Sequence, residues 1–186
     1  MVFKVLDSQH VYQGRAFNVR RDQVALPDGS SAWWDIVEHV DSIMVIPVDG
    51  EGQIWFVRQY RHPAAQEVLE MPAGVLEHGE SLEACAFREI REEIGMTAGK
   101  LQQIGEFFLA AGYSSEYMHV YLATDLRPDP LEADADEFLS IEKTPVIEAY
   151  RLAEANQIHD AKTLAGLSLA RPYLIKYYDH FSRNIR

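Results

Sequence analysis

Three glutamates, Glu89, Glu92 and Glu93, stand at i, i+3 and i+4 in a segment of helical pattern. Nothing else in the 186 residues narrows the possibilities as much. At about 100° per residue the three lie within roughly 100° of one another on one helical face. Phe87, Ile90 and Ile94 recur at i, i+3 and i+7 and give an apolar face opposite. The pattern predicts a helix over 80–94, with Gly95 as its stop. Like charges so spaced repel, a pair about 4 Å apart costing about 4 kcal/mol at an effective dielectric near 20. Such a face is either solvated, with Arg88 and Arg91 for relief, or built to hold a hard cation. Mg²⁺ takes oxygen ligands and keeps several waters. The glycine-containing loop 73–79 precedes the helix and lets backbone carbonyls approach the same ion.

The wider spacing decides between these readings. From Gly74 to Met96 the chain reads G-x5-E-x7-R-E-U-x-E-E-x-G-U, with U aliphatic. Gly74, Glu80, Arg88, Glu89, Glu92, Glu93 and Gly95 take the fixed places, and Ile90 and Met96 the aliphatic ones. At roughly 0.07 per fixed residue, chance gives this about 10⁻⁸ of the time per start and about 10⁻⁶ for a chain of this length. This spacing is the Nudix box, and the sequence resembles the Nudix hydrolases, which cleave a nucleoside diphosphate linked to another moiety.

The resemblance implies a mixed α/β fold, an α/β/α sandwich in which the box forms loop, helix and loop. It implies Mg²⁺ or Mn²⁺, two or more ions per site. Glu89 and Glu93 are then direct ligands together with the carbonyl of Ala73, and Glu92 binds directly or through water. Arg88 orients a glutamate and Glu80 supports it. Gly74 and Gly95 permit backbone shapes that a side chain would obstruct. The implied reaction is in-line attack of water on phosphorus, with the ions neutralising charge and acidifying the water.

The flanks narrow the resemblance to the ADP-ribose pyrophosphatase branch and its nucleoside-diphosphate-sugar relatives. Its marks are Phe56-Val57-Arg58-Gln59-Tyr60-Arg61, then Glu70-Met71-Pro72-Ala73-Gly74, and Ile158-His159-Asp160-Ala161-Lys162-Thr163-Leu164-Ala165. The likeness covers most of residues 10–170. It implies a region 1–40 of extra strands that exchange between the two subunits of a homodimer, and a Nudix domain over 41–186. A carboxylate after the last core strand activates water in that branch, and Glu137, then Asp136 and Asp134, occupy that place. Arg58 and Arg61 lie three apart on one strand, so alternation sends them to opposite faces. Arg61, nearest the loop, is the phosphate contact of choice, with Arg58 and Glu70 beside it in the substrate set. Trp33 and Trp34 are consecutive, so one is expected in the core and the other on a base or at the subunit interface.

One segment departs from the branch. Ala111 stands where ADP-ribose enzymes carry a proline, and Tyr113 lies near the tyrosine position of dinucleoside polyphosphate hydrolases. That leaves a dinucleotide substrate as one alternative. A nucleotide-sensing module without turnover is another, although three repelling acids are hard to explain in a sensor.

Charge and composition agree with a metal-mediated reading. Lys and Arg number 17 against 29 Asp and Glu, a formal charge of −12. So acidic a chain is a poor ligand for nucleic acid or an anionic membrane. It meets an anionic nucleotide through divalent ions or local Arg and Lys. The lone Cys85 excludes an internal disulfide and a cysteine-rich zinc site, and four residues before Glu89 it reads as a buried filler. No apolar run nears the roughly 20 residues of a membrane span, and no signal-peptide pattern opens the chain, so a cytoplasmic protein is expected.

Strands are expected over 10–21, 23–26, 33–40, 42–48, 53–60, 101–109, 117–123 and 138–142. Pro63, Pro72, Gly74 and Gly79 make most of 62–79 loop. Thr144 is expected to cap a helix opened by Pro145, and a last helix is expected over 160–181.

Overall fold

A computed structural model describes residues 3–132 and 138–183, with side chains to Ile175. It divides into two units, the chain up to Ser42 with Phe107–Met118, and Ile43–Glu106 with the chain from His119 onward.

The first unit holds an antiparallel sheet of β1 (Lys4–Gln13), β2 (Asn18–Ala25) and β3 (Ser31–Glu38), in that order. The strand expected over 10–21 is broken by a reversal at 14–17, where Gly14 N–H bonds the Phe17 carbonyl at 3.1 Å. Pro27-Asp28-Gly29 turns the chain into β3. Asp28 accepts from the Ser30 amide at 2.9 Å, and Gly29 takes a left-handed φ of 87°. The end of β3 is paired with the 109–116 segment: Val37 N–H bonds the Tyr113 carbonyl at 2.7 Å, and Ser115 N–H the Val37 carbonyl at 2.9 Å. Among the described residues of this unit's three-stranded sheet, Val24 is the one buried apolar side chain. Phe3, Val5, Leu6, Val11 and Tyr12 are exposed. So are both tryptophans, Trp33 at 45% and Trp34 at 42%, which corrects the expectation that one enters a core. Both stand on β3, an outer strand of the three-stranded sheet.

The second unit begins with β4 (Ser42–Pro47), whose first residue belongs to the other unit, and β5 (Gln53–Arg61). Between them Asp49 accepts from the Glu51 and Gln53 amides at 3.0 and 2.9 Å, and Gly52 has φ 77°. After one 3₁₀ turn (His62–Ala64) come β6 (Gln66–Glu70), β7 (Ala73–Val75) and helix α1 (Leu82–Glu93). Strands β8 (Met96–Phe108), β9 (Tyr117–Pro128) and β10 (Leu139–Pro145) follow, then helices α2 (Val146–Glu154) and α3 (Ala161–Arg183). The sheets run β10-β5-β6 and β7-β4-β9-β8.

Strand β4 shows why the unit is layered. Ile43, Met44, Val45 and Ile46 are all fully buried. Ile43 and Val45 pack with Cys85, Ala86, Ile90 and Ile94 of the α1 segment and with Tyr121 and Ala123 of β9. Met44 and Ile46 face α3, where Gly166 comes so close that a Cβ would lie 2.4 Å from Met44 Cε. A strand apolar on both faces needs a helix on each, as here. Each buried Ile or Met contributes about 1.5–3 kcal/mol.

Two expectations are corrected. The 62–79 stretch holds β6 and β7: Pro72 falls where the chain passes between the two short strands, and Gly74 lies within β7. Thr144 is a buried residue of β10 that gives α2 no cap, and Pro145 with extended backbone precedes the first turn. Among the described residues no helix is long and apolar enough to cross a membrane.

Candidate active site

Helix α1 starts where Ser81 accepts from the Ala84 amide at 3.2 Å, a side-chain N-cap. It ends at Gly95, whose φ of 69° is the left-handed form that a Cβ disfavours. Between these ends the helix does not present a solvated acidic face. Glu89 is 6% exposed and Glu93 9%. Buried carboxylates must be neutralised or hydrogen-bonded, and Arg88 does much of this. It donates Nε and Nη2 to the two oxygens of Glu80, both at 3.0 Å. Its Nη1 donates to Glu89 Oε1 at 2.6 Å and to Glu92 Oε2 at 3.1 Å. Nη2 also reaches the Val75 carbonyl at 3.1 Å. The Arg88 bonds hold Glu80 below the usual carboxylate range against a smaller opposing effect of burial. Arg91, expected to share this work, turns instead to Asp129 at 3.0 Å.

Gly74 is fixed by the same arrangement. A Cβ there would lie 1.8 Å from Glu89 Oε1 and 2.0 Å from its carboxyl carbon. The missing side chain is the space that Glu89 fills, against the backbone of β7. Cys85 is fully buried, and burial pushes its thiol up, so it is a core filler and not a nucleophile.

A second cluster lies at the end of β6. Glu70, 3% exposed, accepts from Arg61 Nε at 2.7 Å and Nη2 at 2.8 Å. Burial raises the Glu70 carboxyl, but the Arg61 bonds and the charge of Lys162 together hold it below its ordinary value. Lys162 Nζ bonds Glu70 and lies 3.0 Å from Asp160 Oδ1. Asp160 caps α3 by accepting from the Thr163 amide at 2.9 Å. Thr163 Oγ1 in turn accepts from the Met71 amide at 2.9 Å, and Pro72 O takes the Val45 amide at 2.9 Å. The segment that carries Ala73 is thus tied down on both sides. Arg58 goes elsewhere, donating to Glu142 Oε2 at 3.2 and 2.7 Å. Registers Arg61↔Gln66 and Arg58↔Ser140 put the two arginines on opposite faces of β5.

Lys162, Asp160 and Thr163 are site-building residues to which sequence reasoning gave no role. One signal was available for Lys162: a lysine in the first turn of a helix opposes the macrodipole and needs an acid close by. Glu137, Asp136 and Asp134 lie outside the described residues. Trp33, Trp34 and Tyr113 belong to the first unit, and the box with Arg58, Arg61 and Glu70 to the second.

The donors in and around α1 are carboxylate and carbonyl oxygens, which suit Mg²⁺ or Mn²⁺ and not a soft ion. Among the described bonds one guanidinium serves three carboxylates, Glu80, Glu89 and Glu92. Among the described residues no three His, Cys, Asp or Glu side chains stand as a ready cage. Mg²⁺ does not require one, since it binds through one or two carboxylates and retains water.

Comparison with known proteins decides the family. The model of the NUDIX domain matches residues 38–167. The chain belongs to the NUDIX domain family. Residues 3–37 match a second model, the nucleoside diphosphate sugar hydrolase N-terminal domain. This Nudix chain is 36% identical to a protein of Bacillus subtilis (strain 168) named ADP-ribose pyrophosphatase, over 86% of the chain and 88% of that protein. It is 31% identical to one of Bacillus methanolicus named methanol dehydrogenase activator, over 88% and 90%. Its fold matches the crystal structure of an ADP compounds hydrolase with a TM-score of 0.86 at 24% identity, covering 95% of this chain and 96% of that one. Nudix hydrolases generally need a divalent metal, in keeping with the donors around α1.

Proposed function

We propose that this Nudix hydrolase cleaves the diphosphate bond of ADP-ribose or a related nucleoside diphosphate sugar, releasing a nucleoside monophosphate and a sugar phosphate. The observation that carries the reading is the pair of buried box carboxylates, Glu89 and Glu93, beside a guanidinium already committed to three acids. The match of residues 3–37 to the nucleoside diphosphate sugar hydrolase N-terminal domain and the name of the Bacillus subtilis relative support the substrate class.

Glu89, Glu93 and the carbonyl of Ala73 hold Mg²⁺ or Mn²⁺, two or more ions, with Glu92 as a further direct or water-mediated ligand. When bound, the ions neutralise the diphosphate oxygens and acidify water. Arg88 and Glu80 keep the carboxylates in place. Arg61 receives the diphosphate, with Glu70 setting its direction and Arg58 a second contact. Glu137 takes the proton of the attacking water, with Asp136 and Asp134 next in order. Trp33, Trp34 and Tyr113 bind the nucleoside. The strand region 1–40 pairs with a second copy, a reading supported by its exposed Phe3, Val5, Leu6, Val11, Tyr12, Trp33 and Trp34. The product is a cytoplasmic homodimer.

Incubation of the pure protein with ADP-ribose and Mg²⁺ is expected to yield AMP and ribose 5-phosphate. Absence of product from a panel of nucleotide sugars and dinucleotides overturns the reading. A second reading, a module that binds a nucleotide and acts on another protein, is favoured by the relative named an activator and expects that blank panel.

A further inference from the structure

The charges around Glu70 are unequal in exposure. The side chains of Glu70, Lys162 and Asp160 are 3%, 14% and 15% exposed, and that of Arg61 44%. Of these four side chains that of Arg61 is the most exposed. Arg61 spends two of its five N–H donors on Glu70, which leaves three. How firmly Glu70 holds Arg61 depends on what else neutralises the carboxylate. Lys162 does so from the buried side, and it is rigidly placed. It is the second residue of α3, between the capping Asp160 and the Thr163 hydroxyl that receives Met71. Without it, one buried carboxylate would have Arg61 as its remaining charged partner and would draw the whole guanidinium inward.

We propose that Lys162 is a positioning residue for anion binding: by neutralising Glu70 from within the fold, it leaves the outward donors of Arg61 to the substrate diphosphate. The inference rests on the hydrolase reading for the identity of the anion. It adds that the first turn of α3, 92 residues from Glu70 in sequence, tunes the affinity for that anion.

The test uses the full-length protein with ADP-ribose and Mg²⁺. Lys162→Met is expected to raise KM about tenfold and leave kcat within about threefold, because ground-state and transition-state binding are weakened alike. Lys162→Arg, which keeps the charge, restores KM to within about threefold of the unaltered protein. Arg61→Ala raises KM by at least as much, and adding Lys162→Met to it changes nothing further, because Lys162 acts through Arg61. A residue that serves stability alone lowers the melting temperature without these KM effects. If Lys162→Met fails to fold, Lys162→Gln, which keeps a polar head group and removes the charge, is expected to show the same rise in KM. A normal KM in folded Lys162→Met or Lys162→Gln, or an additive double variant, overturns the proposal.

Calorimetric titration with inorganic pyrophosphate separates this from failure of the hydrolase reading. If no nucleotide sugar is turned over but pyrophosphate affinity falls in Lys162→Met and returns in Lys162→Arg, the positioning role stands and the hydrolase reading falls. No pyrophosphate binding, or binding indifferent to residue 162, overturns the positioning role.

Discussion

Two charge clusters in the second unit are built in different proportion. In and around α1 one cation, Arg88, serves three carboxylates, Glu80, Glu89 and Glu92. At the end of β6 the deeply buried carboxylate of Glu70 meets two cations, Arg61 and Lys162, and Asp160 stands beside Lys162 as a second acid. The first cluster is short of positive charge, and the second is not. Glu93 links them, since its charge acts on Arg61. The lesson is that a net charge of −12 says little about what a site attracts. Local ratio and burial decide, and here they set a seat for a cation beside a guanidinium that reaches toward an anion.

The comparison breaks most visibly at Glu93. Glu93→Gln keeps shape and removes charge, and kcat is expected to fall at least about 100-fold with the melting curve unchanged or raised. An unchanged rate would remove Glu93 from the cation seat. Arg88→Ala tests the other side of the same ratio. Three carboxylates then face one another without their common donor, and urea denaturation is expected to show a loss of about 2 kcal/mol. Arg88→Lys, which lacks the fork, recovers part of that. Gly74→Ala comes next. Its Cβ needs the place of the Glu89 carboxyl, and the flexible end of that side chain can move. Stability is therefore expected to fall by only about 1 kcal/mol while kcat falls at least about tenfold. A larger effect on stability than on rate would mean that Gly74 serves the backbone and not Glu89.

The two clusters were unequally legible in the sequence. The α1 cluster is local: Glu80, Arg88, Glu89 and Glu92 fall within 13 residues, and helical geometry brings them together without help from the fold. Even so, the expected faces were slightly turned. Phe87 is half-buried and Cys85 and Ala86 fully buried, so the interior takes in Glu89 and Glu93 and leaves Glu92 more open, at 18%. The Glu70 cluster joins three distant elements, and its members lie 9 and 92 residues apart. Spacing cannot show such a meeting, and only the dipole argument pointed to an acid near Lys162. The strand alternation of Arg58 and Arg61 was legible because it depends on one strand alone. Burial of Trp33 or Trp34 was misjudged because consecutive residues fix opposite faces but not whether anything covers either face. Strands β6 and β7 were hidden because Pro72 and Gly74 mark both loops and short strand ends.

Acid titration gives the smallest effect and the finest distinction between the clusters. Glu80 and Glu70 are both held below their ordinary carboxyl values in the fold. A carboxyl depressed on folding adds stability that is fully present above its unfolded value, about 4.3, and is lost as pH falls through the lower folded value. The melting temperature is therefore expected to decline below about pH 4.3 and to be insensitive to these two groups at neutral pH. Glu80→Gln and Glu70→Gln should each make that acid limb shallower. The causes differ, because Glu80 is held mainly by its bonds to Arg88, whereas burial works against Glu70 and two cations must overcome it. Removing Lys162 should therefore make the limb shallower, as the folded value of Glu70 rises toward its unfolded one, and should leave the Glu80 part where it was. Differential scanning calorimetry at a series of pH values reads this directly. A limb that Lys162→Met does not make shallower would mean that Arg61 alone holds Glu70 ionised.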